Sequence, residues 1–203
     1  MNLAGLSLSA QGKKIGLYGG SFNPPHSGHL HIAKSALQKL DLDEVWILVS
    51  PGNPLKEASK DMAPFDRRLE VCSQFFTAPR IKVLGLEKAL KTRYSVDTVK
   101  EIRKRFPKSS FVWIMGADNA EIFHLWAQWR DIVHILPIAI FDRTGYSMAG
   151  RHNRLTREFY KDRQKPKDVT KSIAPSWCFV PLVRNASSAS MIRQQLKCDW
   201  WGH

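Results

Sequence analysis

The chain has 203 residues, 43% of them hydrophobic, and a formal net charge of +13. This length suits one α/β domain with, at most, a small insertion. The three cysteines show no CxxC spacing, which argues against structural zinc and favours reduced thiols. The N-terminus lacks the basic start of a signal peptide, and no apolar run reaches the roughly eighteen residues of a membrane span. We therefore expect a cytoplasmic protein without a membrane partner.

Apolar runs alternate with helical patterns along the chain. We expect a flexible leader over residues 1–13, a single α/β domain over 14–198 and a short tail over 199–203. Continuous apolar runs are typical of strands covered on both faces, and they predict strands at 14–19, 45–49, 81–86, 111–115, 132–141 and 177–181. The alternation predicts a Rossmann-like, doubly wound, mostly parallel sheet of five to six strands with helices on both faces.

The helical patterns fill the gaps between these strands. They begin at Ser27 and after residues 116–119, and they span 64–76, 95–105 and 188–197. In the 64–76 helix we expect Arg67, Arg68 and Glu70 to point outward. Ser95 is expected to cap the next helix. In a parallel sheet the ligand lies beyond the carboxyl ends of the strands.

Much of the positive charge lies in one polar segment. Nine lysine and arginine residues lie between Arg143 and Lys171, against three carboxylates. The simplest interpretation is a solvated, mobile basic insertion over residues 143–175. A basic protein can also bind nucleic acid, an anionic membrane surface or a polyanionic small substrate. Because few aromatic residues are interleaved with these charges, we expect no nucleic-acid partner. The basic charge scattered over the rest of the chain favours phosphorylated ligands.

The first strand is followed by a loop rich in glycine, proline and histidine. Gly19 and Gly20 allow the backbone to turn tightly after the strand. A helix beginning near Ser27 directs its free amides and its positive dipole end into the same volume, which suits phosphate. His26 and His29 lie three residues apart, so both imidazoles can point there. The alternative is a Gly/Pro-rich turn with two incidental surface histidines.

A second helix start lies near the end of the sequence. Ser188, Ser190 and Arg193 bring hydroxyls and a guanidinium to the opening of the 188–197 helix. Serines there can simply cap the helix, but with the arginine they also form a phosphate site. Two such helix starts predict a polyphosphate held between them.

The residues themselves resemble a known family. Residues 19–29, Gly-Gly-Ser-Phe-Asn-Pro-Pro-His-Ser-Gly-His, resemble the GG(S/T)F(D/N)PxHxGH signature of bacterial nicotinate-nucleotide adenylyltransferases, members of the HxGH nucleotidyltransferase superfamily. Residues 188–193 are similar to the (S/T)xxIR element of that superfamily. Further similar stretches are residues 93–98, 116–118 and 125–129, and the resemblance runs in order from about residue 15 to 197.

The resemblance implies a reaction of ATP with nicotinate mononucleotide that gives deamido-NAD and pyrophosphate. It implies that His26, His29 and Arg193 are the catalytic residues and contact the ATP phosphates. Mg²⁺ is implied as the cofactor, bound mainly through those phosphates, with no metal site of the protein's own. The remaining ATP-binding residues that it implies are Gly19, Gly20, Ser21, Phe22, Gly116, Asp118, Ser188 and Ser190. For Asp118, a helix N-cap is the alternative role.

The resemblance also implies a site for the pyridine nucleotide. Its residues are Asn53, Lys56, Tyr94, Ser95 and Trp126, with Trp126 stacked on the ring. Core packing is the alternative for Trp126 and Tyr94, and a solvated loop position is the alternative for Lys56. Ser95 departs from the usual threonine, and Leu55 lies near a position where the family often has histidine.

Other functions stay open at this stage. The acceptor of the adenylyl group can instead be nicotinamide mononucleotide or pantetheine phosphate, although enzymes acting on the latter generally have threonine at the position of His26. A basic nucleic-acid-binding module is the alternative from a different class. The sequence is compatible with a homo-oligomer.

Overall fold

The computed structural model describes residues 10–52, 62–143 and 145–182. These residues form one sheet, whose strands are β1 (Lys14–Gly20), β2 (Glu44–Val49), β3 (Ile81–Leu84), β4 (Ser110–Gly116), β5 (Ile138–Phe141) and β6 (Trp177–Val180). The strands are all parallel, in the order β3-β2-β1-β4-β5-β6. This confirms the predicted doubly wound α/β fold, and the strand order reverses between β1 and β4.

Helices cover both faces of this sheet. They are α1 (Ser27–Lys39), α2 (Phe65–Phe75), α3 (Leu86–Leu90), α4 (Ser95–Arg105), α5 (Ala117–Ile122), α6 (Trp129–Ile135), α7 (Ser147–Arg151) and α8 (Arg154–Glu158). One apolar cluster joins α4 and α6 to the sheet, and a second joins α1 and α2 to the opposite face. None of the described helices has the length and apolar character needed to cross a bilayer.

The predicted strand over 132–141 is wrong in its first half. Residues Trp129–Ile135 are helical, and the strand begins only at Ile138. Pro137 separates the two elements. Ile132 and Val133 are buried from the helix, and a continuous apolar run does not distinguish a short buried helix from a strand. Strand β3 likewise ends at Leu84, because Leu86 begins α3.

Arg68 does not point outward as predicted, since it is fully buried. On a helix it shares a face with Phe65 and Cys72, at spacings of three and four residues. Arg67, in contrast, is partly exposed and pairs with Glu70 at 2.8 Å. The apolar face of α2 therefore includes a buried guanidinium. A prediction from charge alone puts such a group on the surface.

Residues 10–13 pack against the domain and are not part of a loose leader. Ala10 is fully buried, and its carbonyl accepts a 2.7 Å hydrogen bond from the Ser109 hydroxyl. Lys13 pairs with Glu44 at 2.6 Å. These contacts fasten the chain just before β1.

The basic segment 143–175 is not a solvated insertion. It contains α7 and α8, and Leu155, Phe159 and Val169 are buried in the two apolar clusters. Trp177 of β6 donates a 2.7 Å hydrogen bond to the Phe159 carbonyl. The lysines and arginines of this segment therefore belong to a packed part of the domain.

Glu87 on α3 predicts a pH dependence of stability. Its side chain is buried, and burial raises its pKa from 4.5 to about 7. The folded protein thus retains a proton that the unfolded chain releases, so this group destabilises the fold as the pH rises through that interval. The side chain of Gln in Glu87→Gln cannot titrate. The free energy of unfolding of this variant minus that of the wild type should therefore increase by about 3 kcal/mol between about pH 4.5 and about pH 8. Urea unfolding at both pH values measures this, and a constant difference would contradict it.

Candidate active site

Three of the predicted ATP-site residues lie at the carboxyl ends of β1 and β4, close to Arg143 after the neighbouring β5. His26 and His29 begin α1, which follows β1. Asp118 lies in the first turn of α5, directly after β4, and Arg143 follows β5. This edge, beside the point where the strand order reverses, is where doubly wound folds bind ligands.

Backbone amides fix the protonation of both imidazoles. The Nδ1 of His26 accepts a hydrogen bond from the Gly28 amide at 3.1 Å, and the Nδ1 of His29 accepts one from the His26 amide at 3.3 Å. An amide nitrogen can only donate, so each Nδ1 must be unprotonated. In its neutral form each ring therefore has its proton on Nε2. The capping box of α1 thus makes both histidines Nε2–H donors.

The two rings lie against each other, His26 buried and His29 partly buried. Their centroids are 3.7 Å apart at an interplanar angle of 32°. Burial, followed by the charge of Arg143, lowers the pKa of His26 to about 4. Burial, His26 and Arg143 lower the pKa of His29 well below its ordinary value. Both histidines are consequently neutral donors at physiological pH.

Arg143 is a site residue that the sequence interpretation missed. Its Nη2 lies 3.3 Å from the Nε2 of His26, and its Nη1 donates to Asp118. With His26 protonated on Nε2, two donors face each other with no hydrogen bond between them. Such a pair favours an anionic acceptor that both can reach. The position of Arg143, two residues after β5, was the signal that could have identified it, because the carboxyl end of β5 lies at this same edge.

Asp118 does not cap α5, the helix in whose first turn it lies. The N-cap of α5 is Gly116, so the capping alternative is wrong. One oxygen of Asp118 pairs with Arg143, whereas the buried Oδ1 has no hydrogen-bond partner among the described residues. A Cβ on Gly116 would lie 2.4 Å from that Oδ1. Gly116 therefore provides the space in which the carboxylate lies, and Oδ1 can accept from a ligand hydroxyl.

The turn after β1 comes later than predicted. Gly19 and Gly20 are the last two residues of the strand, and the unusual backbone conformation lies at Phe22, with φ 47°. Phe22 is buried, and its ring packs edge-on against His29 with centroids 4.9 Å apart. Ser21, between Gly20 and Phe22 in the chain, is partly exposed. The ring of Phe22 thus supports the ring of His29.

A single aromatic side chain, that of Trp113, separates Trp126 from the end of β1. A Cβ on Gly19 would lie 2.9 Å from the ring of Trp113, and Trp113 in turn packs edge-on against Trp126 at 6.1 Å. Trp126 is only partly buried, so it packs on the core and still presents surface to solvent. Both interpretations of Trp126, core packing and ring stacking, are compatible with this position.

Two other predicted pyridine-side residues, Tyr94 and Ser95, lie at the start of α4. Tyr94 is the N-cap of this helix and is exposed, with the guanidinium of Arg93 5.6 Å from its ring centroid. Ser95 is the first helical residue and not the cap, which corrects the sequence prediction. The core-packing alternative is wrong for Tyr94.

Several predicted residues lie outside the described residues. They are Asn53, Lys56, Ser188, Ser190 and Arg193. Within residues 10–52, 62–143 and 145–182, no group of three or more histidine, cysteine or acidic side chains could hold a metal ion.

Comparisons with known proteins identify the family. The sequence model of the cytidylyltransferase-like family matches residues 17–195. The chain is 42% identical over 187 residues to a probable nicotinate-nucleotide adenylyltransferase of Brucella abortus strain 2308, covering 90% of this chain and 96% of that relative. It is 43% identical over 183 residues to a probable nicotinate-nucleotide adenylyltransferase of Methylorubrum extorquens strain PA1, covering 89% and 98%.

A solved structure shares the fold. It is the nicotinic acid mononucleotide adenylyltransferase of Plasmodium falciparum complexed with NaAD, with a TM-score of 0.68 at 17% identity, covering 90% of this chain and 83% of that one. The sequence relatives carry the finer assignment, since they combine over 40% identity with nearly full coverage. The chain belongs to the cytidylyltransferase-like family and, within it, to the nicotinate-nucleotide adenylyltransferases.

Proposed function

We propose that this protein transfers the adenylyl group of ATP to nicotinate mononucleotide, giving deamido-NAD and pyrophosphate in NAD biosynthesis. The observation that carries the proposal is the cluster of donors at the carboxyl ends of β1 and β5. Two imidazoles with Nε2–H donors and the Arg143 guanidinium meet there. Such a cluster suits the phosphates of a nucleotide, and the family assignment supports the choice of substrates.

The reaction needs positioning and charge stabilisation more than proton transfer. A phosphate oxygen of the mononucleotide attacks the α-phosphorus of ATP, and the bond from that phosphorus to the α–β bridging oxygen breaks. The attacking phosphate is already ionised at neutral pH, so no general base is required. His26 and His29 would donate hydrogen bonds to oxygens on which negative charge grows in the transition state, as preorganised donors do elsewhere. Their lowered pKa values keep them neutral without changing their capacity to donate.

Mg²⁺ fits this site as an ion bound through ATP. When bound, it would supply charge neutralisation on the triphosphate. The described residues offer no carboxylate cage for it, and the carboxylate of Asp118 lies beside the histidines through its ion pair with Arg143. The unpartnered Oδ1 of Asp118 supports a contact with a ribose hydroxyl or with a water molecule on the ion.

The remaining assignments extend the same arrangement. The backbone of Gly19, Gly20, Ser21 and Phe22, with Gly116, would line the ATP phosphates and ribose. Tyr94, Ser95 and Trp126 would receive the pyridine nucleotide, together with Asn53 and Lys56. Ser188, Ser190 and Arg193 stay predictions for the leaving pyrophosphate. Use of ATP supports a cytoplasmic location, and no nucleic-acid or membrane partner is needed for the reaction.

A pyrophosphate-release assay tests the proposal. The purified protein is supplied with ATP and Mg²⁺ and, in separate reactions, with nicotinate mononucleotide, nicotinamide mononucleotide or pantetheine phosphate. We expect release with the nicotinate form to be the fastest. An equal or faster rate with the amide would overturn the acceptor assignment, and no release with any acceptor would overturn adenylyl transfer itself.

Trp126 should contribute to binding of the mononucleotide more than to the chemical step. Loss of a stacking aromatic side chain costs about 1–3 kcal/mol per base in nucleotide sites. We expect Trp126→Ala to raise the KM for nicotinate mononucleotide about tenfold, with the KM for ATP and kcat changed much less. Steady-state kinetics with each substrate varied in turn measures this.

Leu125→Ala is the control, because Leu125 is the exposed neighbour of Trp126. It should leave all kinetic constants near wild type. If Trp126→Ala behaves like this control, Trp126 only packs on the core.

A further inference from the structure

Arg68 makes a set of contacts that the proposed chemistry does not use directly. The guanidinium is fully buried beneath the edge of the sheet. It donates hydrogen bonds to four backbone carbonyls, at 2.7 to 2.9 Å: those of Ser21, Ser50, Pro51 and Ala63. In the described part of the chain, no carboxylate forms an ion pair with it. Burying an arginine without a counter-ion costs free energy of folding, so its position here requires a physical reason.

These four carbonyls belong to three separate segments. Ser21 follows β1, Ser50 and Pro51 follow β2, and Ala63 precedes α2. Other hydrogen bonds tie the same segments together, since the Ser50 amide donates to the Gly20 carbonyl at 3.0 Å. The side chain of Asn23 accepts from the Ala63 amide at 3.1 Å. Arg68 lies at the centre of this network and reaches every segment in it.

One of these contacts leads directly to the catalytic histidines. The Ser21 carbonyl, held by Arg68 at 2.7 Å, immediately precedes Phe22. The buried ring of Phe22 packs against His29, and His29 stacks on His26. A shift of the Ser21 peptide would therefore move the surface on which both imidazoles rest.

We propose that Arg68 is a positioning residue for adenylyl transfer, which fixes the loop after β1 relative to the chain after β2 so that the two histidines point at the reacting phosphate. It contacts no reacting group and acts through Ser21 and Phe22. The proposal rests on the proposed function. A planar guanidinium with five donors can bind carbonyls on several sides, whereas a lysine ammonium has three donors at one point. A lysine at position 68 would keep the positive charge, but we expect that it would not reproduce these contacts.

Arg68→Lys and Arg68→Gln test the proposal, with Arg67→Lys as the matched control. Arg67 is the preceding residue on α2, partly exposed, and among the described residues its ion pair is with Glu70. A displacement of about 1 Å at a catalytic group costs on the order of a hundredfold in rate. We therefore expect kcat to fall about 10- to 100-fold in the Arg68 variants, with a smaller change in the KM for ATP, and to stay near wild type in Arg67→Lys.

A spectroscopic signature separates positioning from mere stability. Each variant is assayed well below its own unfolding temperature, and the imidazole signals of His26 and His29 are recorded by NMR. The proposal expects these signals to shift in Arg68→Lys and not in Arg67→Lys. A folded Arg68→Lys protein with wild-type kcat or unshifted histidine signals would overturn it. If neither Arg68 variant folds, Arg68 serves the fold alone and the proposal is also overturned. If instead the wild-type protein releases no pyrophosphate, it is the proposed function that fails.

Discussion

Replacing His29 by alanine should lower kcat by about two to three powers of ten, the scale on which removal of one transition-state donor acts. The Nε2–H of His29 is fixed by the His26 amide, so its contribution is preorganised and costs nothing to arrange during the reaction. Because the interaction strengthens as charge develops on the phosphate, kcat should fall far more than the KM for ATP rises. Single-turnover measurement of pyrophosphate release gives the chemical step directly.

The fold should survive this substitution. His29 is only partly buried, and the Phe22 ring that it covers also packs against Tyr18 and Phe76. His134→Ala is the matched control. It removes an exposed imidazole near the amino end of β5, at the opposite edge of the sheet. Wild-type turnover in a folded His29→Ala protein would remove this histidine from the mechanism.

Replacing Arg143 by alanine should lower kcat/KM for ATP about a hundredfold. The substitution removes a cationic donor 3.3 Å from the Nε2 of His26, and charge-assisted hydrogen bonds are about twice as strong as neutral ones. It also leaves the carboxylate of Asp118 without its counter-ion near the expected position of the triphosphate. Repulsion between like charges then adds to the loss of attraction.

This double cause can be separated by experiment. In the Arg143→Ala background, Asp118→Asn should recover part of the lost kcat/KM, because it removes the uncompensated negative charge. Arg154→Ala is the control for general loss of basic charge, since Arg154 belongs to the same segment and is exposed. An Arg143→Ala protein as active as Arg154→Ala would show that Arg143 serves only its ion pair with Asp118.

The fold was most predictable where a local pattern of residue types decides the backbone conformation. Apolar runs such as residues 45–49 and 111–115 were recognisable as strands because both faces of a parallel sheet are covered. The loop before α1 was recognisable because turns and helix starts need particular residues. The run over 132–141 was misinterpreted because a short buried helix and a buried strand expose equally little, so that neither needs a polar face.

The site was less predictable where a side chain depends on a partner distant in sequence. Composition assigns an arginine to the surface, and only the folded arrangement of four carbonyls from three segments makes the buried position of Arg68 tolerable. By sequence Arg143 is one basic residue among nine, because its ion-pair partner Asp118 and its neighbour His26 are 25 and 117 residues away. The orientation of the two imidazoles likewise depended on hydrogen bonds within the first turn of α1, which residue types alone do not specify.

The use of main-chain nitrogens to orient the imidazoles of His26 and His29 has an evolutionary consequence. Many enzymes rely on a carboxylate to orient a histidine, and one point mutation can then disarm the site. A peptide nitrogen is present whichever side chain occupies the position, so only a proline could abolish it. The side chains around these two amides can therefore change without altering which ring nitrogen carries the proton, and that choice is made in the same step in which this turn of helix winds.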